Sequence, residues 1–102
     1  MHEKLKFEFE DGQNKAYDVT VYALSTCGFC KRALKFLREN SIAFRYIYVD
    51  KLEPDVKQQV KMDLKEKYNT RVAYPFLILD KEKIHIGFNE EDWRGLFVSH
   101  AQ

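Results

Sequence analysis

The alternation of apolar and polar residues near the N-terminus predicts two β-strands. Residues 4–10 alternate strictly, which is the period-two pattern of a half-buried strand. After the turn signal Asp11-Gly12, a second β-rich run covers residues 17–24 and becomes apolar on both faces, as strands in the middle of a covered sheet do. The two runs predict a hairpin or two neighbouring strands.

The rest of the chain switches between helical and β patterns. A helix with a hydroxyl N-cap at Ser25-Thr26 shows apolar positions at spacings of three and four, and β-branched and aromatic residues mark the later strands. The further elements are the helix from Ser25-Thr26 to Asn40-Ser41, a strand at 42–49, a helix from Pro54 to Asn69-Thr70, strands at 76–79 and 84–86, and a helix capped by Asn89. The order β β α β α β β α predicts a mixed sheet with helices packed on it.

Length and composition fit one α/β domain spanning residues 1–102. The chain is 45% hydrophobic and 15% aromatic, and a chain of this size can bury a core without disulfide staples. Its formal charge of +1 gives no overall attraction to nucleic acid or to an anionic membrane. Because no apolar run has the length of a membrane span or signal peptide, the sequence predicts a soluble protein of the cytoplasm.

The two cysteines, Cys27 and Cys30, lie where a predicted strand ends and a helix begins. A bridge between residues so close would stabilise the fold little, so their pairing indicates chemistry. A thiol at a helix start faces unpaired N–H groups and the positive end of the helix dipole, and Lys31 and Arg32 add positive charge; all favour the reactive thiolate. Cys27 is then the nucleophile, and Cys30, one turn inside, can attack a mixed disulfide.

Two other interpretations of the cysteine pair remain open at this point. A structural zinc site needs two further nitrogen or sulfur ligands, and the chain offers only His2, His85 and His100, none of them spaced as a ligand pair. Two inert core thiols are the second interpretation, although the pair stands at a helix start and not on a buried stripe.

Three motifs resemble the glutaredoxin family of the thioredoxin fold, over residues 18–98. A β-rich run delivers the Cys27–Cys30 pair to a helix, Tyr74-Pro75 stands at the family's cis-proline position, and Gly87 precedes an acidic turn at 89–92. The resemblance implies a thioredoxin-like α/β fold with a mixed sheet flanked by helices. Residues 1–17 then form an extra N-terminal strand.

This resemblance implies a dithiol–disulfide oxidoreductase with Cys27 and Cys30 as its catalytic residues. Such a protein requires no cofactor of its own, acts as a monomer on disulfide-containing proteins, and takes electrons from a thiol such as glutathione or from a flavin reductase. In this interpretation Phe29 covers the cysteine pair, and Gly28 frees the backbone for the tight entry into the helix. The implied substrate-binding residues are Gly28, Phe29, Tyr74, Pro75, Gly87, Phe88 and Asn89.

Two departures from the family pattern bear on the electron donor. Glutaredoxins that use glutathione usually carry Lys or Arg where this chain has Leu24, and Gly-Gly where it has Gly87-Phe88. The Gly-Phe pair is more similar to the NrdH-redoxins, which are reduced by a flavin reductase, so glutathione is predicted to be a poor partner. The alternative function is an iron–sulfur carrier in which Cys27 ligates a [2Fe–2S] cluster between two chains; Cys30, where monothiol carriers have Ser, favours redox chemistry.

Overall fold

A five-stranded mixed sheet forms the centre of this computed structural model, which describes residues 5–98. The strand order is β1-β3-β2-β4-β5, with β2 and β3 parallel and every other neighbouring pair antiparallel. The elements are β1 (Glu8–Glu10), β2 (Val19–Ala23), α1 (Gly28–Glu39), β3 (Phe44–Tyr48), a 3₁₀ turn (Val49–Lys51), α2 (Pro54–Tyr68), β4 (Phe76–Leu79), β5 (Lys83–Ile86) and α3 (Glu90–Val98). This confirms the predicted order of strands and helices.

Strand β2 separates two apolar layers, which explains why its sequence is apolar on both faces. All five of its residues are buried. Val21 and Ala23 pack with α1 and α3 on one side, whereas Tyr22 packs with α2 on the other, because successive side chains of a strand point to opposite faces. The central strand therefore holds both helical layers and ends at the cysteine pair.

The predicted pairing of the first two strands is wrong. Strand β1 pairs antiparallel with β3 and lies at the edge of the sheet, not beside β2. The chain after β1 stays with the segment that leads into β3: Asn14 forms a bridge with Ile42, and its N–H donates to the Ser41 carbonyl at 2.9 Å. These backbone hydrogen bonds between distant segments place β1 beside β3. The Asp11-Gly12 turn signal could not reveal them, because it reports only on local structure.

Gly12 is needed for close backbone contact with the chain before β3. A Cβ atom at this position would lie 2.5 Å from the Ser41 carbonyl oxygen and 2.8 Å from the Ala43 nitrogen. Backbone atoms in that segment are held by the bonds to Asn14 and cannot give way as a flexible side chain can. The Asp11-Gly12 turn signal therefore marks a docking point between the N-terminal extension and the sheet.

We expect Gly12→Ala to lower the free energy of unfolding by about 1–3 kcal/mol, the usual cost of overpacking. The matched control is Gly95→Ala in α3, where an added Cβ meets no heavy atom within 4 Å and should raise stability by roughly 0.5–1 kcal/mol. Urea unfolding followed by circular dichroism compares the two. Equal stability of Gly12→Ala and the wild type would contradict the close contact.

Candidate active site

The helix that carries the cysteine pair begins differently from the prediction. Its N-cap is Cys27, not Ser25 or Thr26: the Cys27 sulfur accepts a hydrogen bond from the Cys30 N–H at 3.2 Å. An N–H donor at a helix N-terminus is the kind of group that stabilises a negative charge on sulfur. The first cysteine therefore serves as both the cap and the exposed end of the pair.

Ser25 is held instead by Asp50, a residue that the sequence did not single out. The Ser25 N–H and hydroxyl both donate to the Asp50 carboxylate, at 2.8 and 2.5 Å. The hydrogen bond from the hydroxyl holds the pKa of the Asp50 carboxyl below its usual value. Parallel strands β2 and β3 end at the same sheet edge, so Asp50 fixes the loop that enters the cysteine pair.

The second cysteine is enclosed by the protein. Cys30 is 0% exposed, and its sulfur accepts a hydrogen bond from the Leu24 N–H at 3.4 Å. Burial, together with the hydrogen bond to Cys27, raises the pKa of the Cys30 thiol to about 12. Because Cys27 is partly exposed, the two sulfurs differ in access, as an attacking and a resolving thiol must.

The loop before β4 and the loop after β5 meet beside the pair. The Tyr74–Pro75 peptide bond is cis, at the position the resemblance implied. Gly87 has a positive φ of 85° and donates its N–H to the Pro75 carbonyl at 2.8 Å. Tyr74 packs against the buried cluster that contains Cys30, and burial raises the pKa of its phenol.

Two of the proposed substrate-binding residues have structural contacts of their own. The Phe88 ring packs edge-on against Trp93, with centroids 5.0 Å apart, and against Phe36 at 5.9 Å. The Asn89 side chain caps α3 by accepting the Asp92 N–H at 3.0 Å. The Trp93 indole N–H donates to the Gly87 carbonyl at 3.2 Å, so this cluster fixes the loop beside Pro75.

The residues between and after the cysteines form the outer surface of the helix start. Gly28 does not need to be glycine for the turn: its φ is ordinary and an added Cβ meets only the Arg32 side chain, at 3.8 Å. Phe29 is 55% exposed and carries the Arg32 guanidinium 4.6 Å from its ring centroid. Lys31 is exposed. Aromatic and cationic groups thus border the pair on its solvent side.

The described part of the chain offers little for a metal. No group of three or more His, Cys, Asp or Glu side chains that could hold an ion occurs among residues 5–98. Of the three histidines considered as zinc ligands, His2 and His100 lie outside the described residues, and His85 stands in β5. Cys27 and Cys30 are free thiols.

Comparison with known proteins gives consistent matches. The sequence model of the glutaredoxin family matches residues 19–84. The glutaredoxin from Methanosarcina mazei Go1 is 30% identical, with 90% of this chain and 87% of that chain covered and a TM-score of 0.75. The methanoredoxin from Methanosarcina acetivorans is 35% identical, with 76% and 81% covered and a TM-score of 0.68.

A third solved structure agrees with these two. The glutaredoxin from Archaeoglobus fulgidus is 33% identical, with 78% of this chain and 84% of that chain covered and a TM-score of 0.67. A search of curated proteins returned no significant match. The neighbours confirm the predicted thioredoxin-like α/β fold. Within residues 5–98, no helix is both long and apolar enough to cross a membrane.

Proposed function

The chain belongs to the glutaredoxin family, and on that premise we propose that it reduces disulfides through Cys27 and Cys30, with protein disulfides as its substrates. The roles of attacking and resolving thiol are assigned from the exposure of the two residues. Cys27 is partly exposed at the helix N-terminus, whereas Cys30 is wholly buried behind it. Only the first sulfur is open to a substrate. The second is placed to attack the first.

The proposed reaction passes two electrons to the substrate. The Cys27 thiolate attacks one sulfur of the substrate disulfide, and the other substrate sulfur leaves as a thiolate that takes up a proton. Cys30 then loses its proton and attacks the Cys27 sulfur, which releases the second substrate thiolate and leaves a Cys27–Cys30 disulfide. An external dithiol, thiol or reductase returns the pair to its reduced form.

Formation of the mixed disulfide itself prepares Cys30 for attack. Part of the rise in the pKa of the Cys30 thiol comes from its hydrogen bond to Cys27 and from negative charge on that sulfur. Both effects end when Cys27 is covalently bound to substrate, because a disulfide sulfur carries no charge. The proton on Cys30 is therefore held most tightly before the substrate arrives and less tightly afterwards.

The residue at position 24 bears on the choice of electron donor. A cation for the glycine carboxylate of glutathione is missing where Leu24 stands, and Leu24 is partly buried against both apolar layers. We therefore favour a flavin reductase or another thiol over glutathione. A disulfide between residues only three positions apart would stabilise the fold little, and short cysteine pairs of this kind are typically catalytic in reducing compartments, so we propose a cytoplasmic location.

We expect Leu24→Lys to increase glutathione-dependent activity about tenfold at low glutathione, because it supplies a charge-assisted hydrogen bond worth ~1.5–3 kcal/mol. Leu24→Met is the matched control, since it keeps the apolar packing without the charge. Phe88 is left unchanged because its ring packs on Trp93. A wild type that already turns over rapidly with glutathione, with no gain in Leu24→Lys, would contradict the proposed donor.

The function is tested by reducing bis(2-hydroxyethyl) disulfide and a disulfide-bonded protein with the purified chain. Glutathione and a flavin-dependent thioredoxin-type reductase are supplied in parallel as electron donors. Catalysis above the rate without the protein, with at least one donor, supports the proposal. No catalysis with either donor, together with a brown cluster spectrum after anaerobic purification, would instead support the iron–sulfur carrier.

A further inference from the structure

A cavity of about 300 Å³ lies on the α2 side of the sheet, away from the cysteines. Asp18, the residue before β2, and Lys81, in the turn between β4 and β5, are among the residues that line it. Backbone and side-chain bonds between Asp18 and Asp80, at 2.7 and 2.9 Å, tie that end together. Cys27 follows the opposite end of β2. We call this space the distal cavity.

Two largely buried residues contribute hydroxyl groups to the lining of the distal cavity. Tyr22 is 6% exposed and Thr20 is 7% exposed, and within residues 5–98 neither hydroxyl has a hydrogen-bond partner. Neither hydroxyl oxygen is itself enclosed by protein, so both are reached from the cavity and can donate a hydrogen bond to a guest that accepts one. Burial raises the pKa of Tyr22 to about 12, and the phenol therefore remains a donor.

The side chains at the walls and rim of the distal cavity indicate which kind of molecule it can bind. Phe7 and Tyr68 add aromatic surface, with Phe7 standing edge-on to Tyr22 at 5.6 Å. At the rim, neither Lys67 nor Lys81 forms an ion pair with any residue of the described part of the chain. A pocket with apolar walls and a few convergent polar groups is typical of a small-molecule site.

Among residues 5–98, the charges that line the distal cavity favour a guest with a single negative charge. Arg45, Lys67 and Lys81 line the cavity against Asp18 and Asp63, three cations to two anions, which leaves one positive charge. Asp18 is occupied by Arg45 at 2.6 Å and Asp63 accepts the Gln59 amide at 2.8 Å. A dianion such as phosphate would face both carboxylates, whereas a monoanion can lie on the lysine side.

We propose that the distal cavity is a second binding site, for a small aromatic or otherwise apolar molecule that carries one carboxylate. The ring contacts Phe7, Tyr22 and Tyr68. The carboxylate, which is the guest's hydrogen-bond acceptor, accepts from the hydroxyls of Tyr22 and Thr20 and is attracted by Lys67 and Lys81 at the rim. The site is separate from the cysteine pair. Its occupancy can therefore be measured without any assay of disulfide reduction.

The test is a titration of the full-length ¹⁵N-labelled protein with sodium benzoate at constant ionic strength, followed by two-dimensional NMR. Benzyl alcohol, which keeps the ring and lacks the charge, is the matched ligand control. We expect saturable shifts at amides around the distal cavity, with a dissociation constant on the order of 1 mM for so small a ligand, and much weaker binding of benzyl alcohol.

Substitutions in the lining of the distal cavity test whether benzoate binds there. Tyr22→Phe and Thr20→Val, which remove the hydroxyls and keep the shape, should each weaken benzoate binding about fivefold. Lys67→Gln combined with Lys81→Gln should weaken it about threefold, whereas Lys61→Gln, elsewhere on α2, should not change it. Non-saturable shifts, equal binding of benzyl alcohol, or variants that bind as the wild type does would each overturn the proposal.

Discussion

Replacing Cys27 with Ser is expected to lower the rate of disulfide reduction to less than about one thousandth of the wild-type rate. The reason is that the hydroxyl is a far weaker nucleophile than a thiolate at neutral pH, and the remaining sulfur, Cys30, is 0% exposed. No other cysteine exists in the chain to replace it. Steady-state reduction of bis(2-hydroxyethyl) disulfide with the best electron donor measures the change.

The variant must also be shown to fold. Ser is a favourable N-cap residue, so Cys27→Ser should keep the helix start and unfold at the temperature of the wild type. Substantial residual activity in a folded Cys27→Ser protein would show that the partly exposed sulfur is not the nucleophile.

Trp93→Ala is expected to cost about 3–5 kcal/mol of unfolding free energy, out of the roughly 5–15 kcal/mol of a typical domain. Trp93 is 1% exposed, its ring packs on Phe88 and Phe36, and its indole N–H donates to the Gly87 carbonyl. Truncation leaves a cavity and an unsatisfied carbonyl. It also frees the loop that stands beside Pro75, so activity should fall as well.

Met62→Ala provides the matched helical control, because Met62 is 45% exposed on α2 and should cost less than about 0.5 kcal/mol. Circular dichroism is the required signal, since Trp93 is the single tryptophan and its fluorescence is lost with it. A Trp93→Ala protein within 1 kcal/mol of the wild type, by the scale of such substitutions, would contradict the packing described around Gly87.

The parts of the site that follow from local chemistry could be predicted from the sequence. Each of these parts meets a backbone requirement that the residue type reveals. They are the cysteine pair at a helix start, Pro75 before a strand and Gly87 after one. The helix faces were predicted equally well, because Ala33, Leu34 and the other buried positions of α1 repeat at helical spacing.

The features that the sequence did not reveal depend on contacts between distant segments. Ser25 has a residue type typical of an N-cap, yet its hydroxyl binds Asp50, and Cys27 takes the cap position. That contact could have been suspected from the parallel pairing of β2 and β3, which brings their carboxyl ends together. Gly12 resembled a turn residue, although its small size serves contact with Ser41. Local propensity does not encode such proximity.

Capture of a covalent intermediate by Cys30→Ser is the most direct test of the two-cysteine mechanism. Without the buried resolving thiol, no thiol of the chain can attack the mixed disulfide that Cys27 forms. Incubation with an oxidised protein substrate should therefore leave a stable mixed disulfide. Peptide mapping by mass spectrometry under non-reducing conditions should find the substrate linked to Cys27. Turnover of a dithiol-requiring substrate by Cys30→Ser at the wild-type rate, with no trapped species, would contradict the two-cysteine mechanism.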